Sequence, residues 1–160
     1  MPEVVIRKAT IEDSSLILGF IKELARYEKA EEEVVATVEE IEKNLFGDSS
    51  TTKALICTSD NTPIGIAIYF LNFSTWLGKN GLYLEDLYVS PHHRGTGAGK
   101  KFLKHLAKLA AENNYGRFEW SVLDWNEPAI NFYKSIGAEA QNEWVGYRLE
   151  GKSLFDFANS

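Results

Sequence analysis

Leu82-Tyr83-Leu84-Glu85-Asp86-Leu87-Tyr88-Val89, Ser90-Pro91-His92-His93 and Arg94-Gly95-Thr96-Gly97-Ala98-Gly99 follow one another without a gap, and their reading decides the fold. The first run has the β-branched and aromatic content of a central strand and carries two adjacent carboxylates. The second is turn chemistry. The third sets glycines at alternate positions, after which Phe102, Leu103, Leu106 and Leu109 give a helix its apolar face. Strand, glycine loop and helix joined in this way let the main chain approach a ligand closely. They also offer unpaired helix N–H groups and a positive dipole end to an anion, here a phosphate or diphosphate. Two familiar phosphate motifs do not fit. Walker A needs four residues between its first Gly and its Gly-Lys and then Ser or Thr, whereas Gly95 to Gly99 encloses three and Lys101 follows. The dinucleotide fingerprint needs a Gly where Lys100 stands.

Outward from this centre, Val4-Val5-Ile6-Arg7 reads as a first strand. Thr10-Ile11-Glu12-Asp13 has the form of a capping box, opening a helix whose Leu16, Phe20 and Leu24 make one stripe. A second helix starts at Thr37, with Glu40 three residues on, and stops at Gly47. Ala54 to Thr58 and Ile64 to Phe70 form a hairpin around Asp60-Asn61-Thr62-Pro63. After the central motif, Phe118 to Leu123 is a fifth strand. Asn126-Glu127-Pro128 starts a helix over Ala129 to Ile136, and Gly137 ends it. The tail from Ala138 to Phe157 is expected to add two closing strands. The order predicts a mixed α/β (α+β) architecture, a central twisted sheet of about six to seven strands with helices on both faces. Each of the stretches Leu82 to Leu123 and Phe118 to about Asn142 implies a right-handed crossover.

At 160 residues, 44% of them apolar, with no repeat, linker or low-complexity segment, residues 1–160 read as a single domain. The net charge of -6 argues against general attraction to nucleic acid or to an anionic membrane surface and suits a cationic partner. Cys57, the only cysteine, lies in the apolar run Ala54-Leu55-Ile56-Cys57 and reads as a buried structural thiol. The start has no basic n-region followed by an apolar h-region, and no apolar run reaches the length of a membrane span, so a cytoplasmic protein is expected. His92 and His93 sit at a turn without partners at metal-ligand spacing, and no metal site is expected. Glu31-Glu32-Glu33 reads as a solvated charge run, with long-range attraction of a cation as its alternative, and Lys100, Lys101, Lys104 and Lys108 lie on the polar side of the third helix, either as a plain solvated face or to attract phosphates.

Arg94-x-x-Gly97-x-Gly99 after a strand ending in Tyr-Val resembles the pyrophosphate loop of the GNAT superfamily of N-acetyltransferases. The resemblance extends to Tyr27-Glu28, Tyr83-Leu84-Glu85-Asp86 and Trp125-Asn126-Glu127-Pro128-Ala129-Ile130-Asn131-Phe132-Tyr133-Lys134. Their order and spacing are similar to those of the spermidine/spermine N-acetyltransferase branch. Two places depart from it: Gly146-Tyr147-Arg148 stands for the family's Gly-Trp-Arg, and Lys100-Lys101 is unlike it. The resemblance implies acetyl-CoA as co-substrate, a small primary amine as acceptor and a homodimer. It places the coenzyme against Leu87, Tyr88, Val89, Arg94, Gly95, Thr96, Gly97, Ala98, Gly99 and Lys100, with Asn126 and Tyr133.

An alkylamine is uncharged in only roughly one molecule in 2,500 at neutral pH, so the reaction needs a proton acceptor. Glu85, on the strand that leads into the loop, fits this task through one water, its plainer reading being neutralisation of a neighbour. By strand alternation Asp86 points to the opposite face and is expected to be structural or electrostatic. Tyr133 matches the family's acid, which protonates the departing thiolate; without the resemblance it reads equally as a half-buried core aromatic. The resemblance also assigns the Leu87 N–H to the developing oxyanion, which a local break in strand pairing would free. Tyr27, Glu28, Trp76 and Glu85 combine aromatic faces with carboxylates suited to an ammonium. The amine is expected to be a polyamine, a diamine or a lysine-like molecule. The alternatives are an acetyltransferase for a protein amine and a coenzyme A-binding module without turnover.

Overall fold

A computed structural model describes residues 2–160. Its chain separates into two compact units, one ending at Ser121 and the other spanning Val122–Ser160.

The first unit holds a five-stranded sheet in the sequential order β1 (Val4–Lys8), β2 (Thr52–Ser59), β3 (Thr62–Ser74), β4 (Lys79–Val89) and β5 (Phe118–Trp120). The first four strands pair antiparallel and β5 joins β4 parallel, as a strand-helix-strand crossover requires. Asp60 and Asn61 both adopt positive φ, 47° and 68°, which matches the twist of the β2–β3 hairpin. On one face lie α1 (Ser14–Tyr27) and α2 (Val38–Phe46), whose Ile17, Phe20 and Ile41 pack with Ile56, Ile66, Ile68 and Tyr88 of the sheet. The alternate sheet residues Leu55, Cys57, Ala67 and Leu82 are buried toward the other face. There α3 (Ala98–Glu112) packs on β4 and β5 with Phe102 and Leu106 fully buried. The start of α2 follows its sequence signature: Glu40 N–H donates to Thr37 Oγ1 at 3.2 Å and Thr37 N–H to Glu40 Oε2 at 3.1 Å. Thr10 and Asp13 form the other capping box around a single 3-10 turn, so α1 itself begins only at Ser14.

Strand β1 is an edge, and pairing with β2 alternates along it. Asp60 N–H donates to Glu3 O at 2.9 Å and Ala9 N–H to Ala54 O at 3.0 Å, which turns the main-chain groups of Val4 and Ile6 outward. Lys101 on α3 donates its Nζ to the outward carbonyl of Val4.

The second unit holds α4 (Glu127–Ser135), with Pro128 in its first turn, and α5 (Gly151–Ala158). Here the sequence reading is corrected. The sheet has five strands among the described residues rather than six to seven, β5 stops at Trp120 rather than Leu123, and the tail forms a helix instead of two closing strands. A strand needs a neighbour to satisfy its main chain, whereas a helix satisfies its own. The Lys152 and Asp156 side chains, one turn apart in α5, pair in support of the helix. Without a closing strand, the second expected crossover does not form. Among the described residues no helix is long and apolar enough to cross a membrane.

Candidate active site

The site is built around an irregularity in β4. Its ladder with β3 runs Ile66 to Tyr88, Ala67 to Leu87 and Ile68 to Asp86, then continues with Tyr69 to Leu84. Glu85 is the extra residue, a β-bulge, and its side chain is exposed. The bulge breaks the period-two alternation. Leu82 and Leu84 pair with Leu71 and Tyr69, while Asp86 pairs with Ile68, a member of the α1-side core, and is partly buried. The expectation that simple alternation turns Asp86 away from Glu85 is therefore corrected: the bulge brings Asp86 to the face covered by α1.

That placement sets its chemistry. Burial, then the neighbouring carboxylates of Glu85 and Glu28, lift the Asp86 carboxyl from 3.8 to about 6. Glu28, the C-cap of α1, is also raised, by burial. Three carboxylates thus share one neighbourhood, and a cation there relieves both their repulsion and their desolvation. The placement of Asp86 was not legible in the sequence; the adjacent Glu-Asp pair was visible, but nothing in it announces the bulge.

Beyond the bulge, β4 has no strand on its outer side among the described residues. Strand β5 pairs only with Leu82, Tyr83 and Leu84. Ser90 N–H donates to Ile64 O at 2.7 Å, and counting back by twos turns the main-chain groups of Val89 and Leu87 away from β3. An open strand edge over Glu85 to Val89 therefore leads straight into the glycine loop. The side chain of Tyr88 does not face that edge; it is core, 5% exposed, with its ring 5.9 Å from Phe20.

The loop fits an anion. Gly95 and Gly97 take φ of 81° and 86°, open to glycine at no steric cost. A Cβ built on Gly95, Gly97 or Gly99 would meet none of the described residues within 4 Å, so the chain stays open beside each of these glycines. Gly97 is the N-cap of α3 and makes no side-chain cap, and the first helical bond is Lys101 N–H to Gly97 O at 2.9 Å. The N–H groups of Ala98, Gly99 and Lys100 are thus the orphan donors of this helix end, where its dipole is positive. The Thr96 hydroxyl is turned away, donating to His93 O at 2.6 Å. A diphosphate suits these donors, and the residues from Gly95 to Lys100 are those that would hold it.

Of the expected amine-side residues, the structure brings Glu28 and Glu85 together around Asp86, with Tyr27 beside Glu28 at the end of α1. It does not bring Trp76 to them. Trp76 is 87% exposed in the turn between β3 and β4, at the far end of β4 from the glycine loop. In the second unit, Asn126 caps α4 and Tyr133 lies on its last turn, its ring 6.1 Å from that of Phe132. Cys57 is fully buried and its thiol is pushed up by burial.

Comparison with known proteins gives a consistent result. An integron cassette protein from the mobile metagenome of V. cholerae superposes with a TM-score of 0.83 at 30% identity, covering 98% of both chains. Thialysine N-epsilon-acetyltransferase of Sus scrofa is 36% identical across 99% of each chain. Human spermidine/spermine N(1)-acetyltransferase-like protein 1 is 32% identical over 96% of this chain and 23% of its own length. The profile of the Acetyltransferase (GNAT) family, whose members use acetyl-CoA, matches residues 19–138. An anion cradle joined to an open, bulged strand thus stands in a chain that belongs to the Acetyltransferase (GNAT) family and is an acetyltransferase.

Proposed function

We propose that this acetyltransferase acts on the primary amine of a small, lysine-like or polyamine substrate, taking acetyl from acetyl-CoA by direct attack. The observation that carries the reading is the meeting of Glu28, Glu85 and Asp86 beside the open edge of β4. Three carboxylates suit an acceptor that keeps a second positive charge while one amine reacts. The relatives named for thialysine and for spermidine/spermine support the same substrate class.

Acetyl-CoA supplies the activated thioester. In this reading the amides of Gly95 to Lys100 hold its diphosphate and the Leu87 N–H polarises the acetyl oxygen. Glu85, exposed on the bulge, takes the ammonium proton through a water, and the free amine then displaces sulfur at the acetyl carbon. Asp86 and Glu28 hold the remaining cationic part, and the raised carboxyl of Asp86 is itself poised to share the proton. Tyr133 gives its proton to the departing thiolate, and the second proton of the nitrogen, released as the amide forms, restores the phenol. The family match crosses the boundary between the two compact units, which supports reading the chain as one catalytic domain.

The test is an acetyl-CoA assay over an amine panel of thialysine, lysine, ornithine, putrescine, spermidine and lysine-bearing peptides. Turnover of the small dications well above the peptides is the expected result. Peptide turnover above that of every small amine would replace this reading with protein acetylation. Acetyl-CoA binding without turnover of any amine would leave a binding module.

A further inference from the structure

Arg94 opens the glycine loop, and the obvious task for its guanidinium is to bind the diphosphate beside it. Its observed position serves something else. Arg94 Nε donates to Val89 O at 2.9 Å, which ties the side chain back onto the end of β4. The guanidinium carbon lies 4.8 Å from the ring centroid of Tyr27 and 5.4 Å from that of Tyr88. A guanidinium that binds phosphate well aims its N–H fork at the anion; this one is stacked on two aromatic rings with its Nε engaged by the main chain.

The two rings belong to different elements. Tyr88 is a core residue of β4, held against Phe20. Tyr27 is the last residue of α1 and is 40% exposed. Glu28 follows it, and Lys29 then takes a positive φ of 63° as the chain leaves the helix. Arg94 therefore joins the strand carrying Glu85 and Asp86 to the helix end carrying Glu28.

We propose that Arg94 is a positioning residue for the amine side of the site: by stacking on Tyr27 and Tyr88 it fixes the end of α1, and with it Glu28, against the carboxylates of the β4 bulge. The diphosphate is left to the main-chain amides and the helix dipole. This inference rests on the acetyl-transfer reading of the loop and deepens it, because it assigns the first residue of the glycine motif to the acceptor rather than to the donor.

The experiment uses the full chain with Arg94→Lys, Tyr27→Leu, Tyr27→Phe and the Arg94→Lys/Tyr27→Leu double variant. It measures the acetyl-CoA Kd by calorimetry, and KM and kcat for whichever panel amine is turned over. Lysine keeps the charge but loses the planar stack and the Nε bond. Arg94→Lys should raise the amine KM by about fivefold, the size of one lost cation–π contact, and leave the acetyl-CoA Kd within about twofold. In the Tyr27→Leu background the same change should add less than about twofold, because the contact is already gone. Tyr27→Phe, which keeps a ring, should restore the amine KM that Tyr27→Leu loses; this comparison stands even where Arg94→Lys does not fold. A loss confined to the acetyl-CoA Kd, effects that multiply in the double variant, or a Phe variant as impaired as Leu would each overturn the proposal. Absence of acetyl-CoA binding by the unmodified protein would overturn the reading of the loop and this inference with it.

Discussion

Asp86 stands opposite Ile68, and the next pair in the ladder is Leu84 with Tyr69, so one residue of β4 is passed over and Asp86 changes face. A carboxyl moved by that step into the α1 side of the sheet titrates near 6. Raised from 3.8, it binds its proton more tightly folded than unfolded. Its contribution to stability is complete below about pH 4 and is lost as pH rises through about 6. At pH 8 the ionised group costs up to about 3 kcal/mol, at 1.36 kcal/mol per unit. Asp86→Asn should accordingly melt roughly 4–10 °C above the parent at pH 8, with the gap closing toward pH 4, while losing activity. An offset of equal size at both pH values in calorimetric scans would show that Asp86 is not the titrating group.

Glu85 is exposed on the bulge, so its removal is a test of chemistry with little structural penalty. Glu85→Gln should lower kcat by about 10²–10⁴ and leave stability within about 0.5 kcal/mol. Tyr133→Phe should lower kcat as well. Steady-state rates near those of the parent for either variant would remove that residue from its assigned role.

Two glycines should respond differently to alanine. A Cβ on Gly97 meets no neighbour, so Gly97→Ala suffers only the left-handed backbone, about 1–2 kcal/mol, together with weaker acetyl-CoA binding. A Cβ on Gly65 would come within 2.3 Å of the Tyr88 carbonyl oxygen and must push β3 from β4. Urea titration should show Gly65→Ala to be the less stable of the two. The reverse order would mean that the strand yields more easily than the loop.

Cys57 is sealed in β2 with its thiol raised by burial. A disulfide reagent at pH 8 should modify it only as fast as the protein opens, and promptly in denaturing urea. Prompt labelling under native conditions would contradict that burial.

Much of this was legible because it is local. Thr37 and Glu40, the Asp60-Asn61 turn and the glycines before α3 each specify their geometry within a few residues, and each is found as read. The carboxylate neighbourhood was half legible: Glu28 and Glu85 were named, but the bulge that recruits Asp86 depends on cross-strand register, which no single strand encodes. The stacking of Arg94 was not legible for the same reason, since Tyr27 and Tyr88 lie outside the glycine loop that it opens. The tail from Ala138 to Phe157 was read as two closing strands. Strand formation depends on a neighbour, and α5 formed on its own i to i+4 contacts instead.

The lysine seated on the outward carbonyl of Val4 has a bearing on how the protein behaves at high concentration. An unguarded sheet margin is a template onto which another chain can register, and a charged side chain laid across it blocks that growth. A protein lacking the Lys101 amine should therefore betray the loss through clouding and scatter that steepen with protein concentration, well before any change in its melting curve.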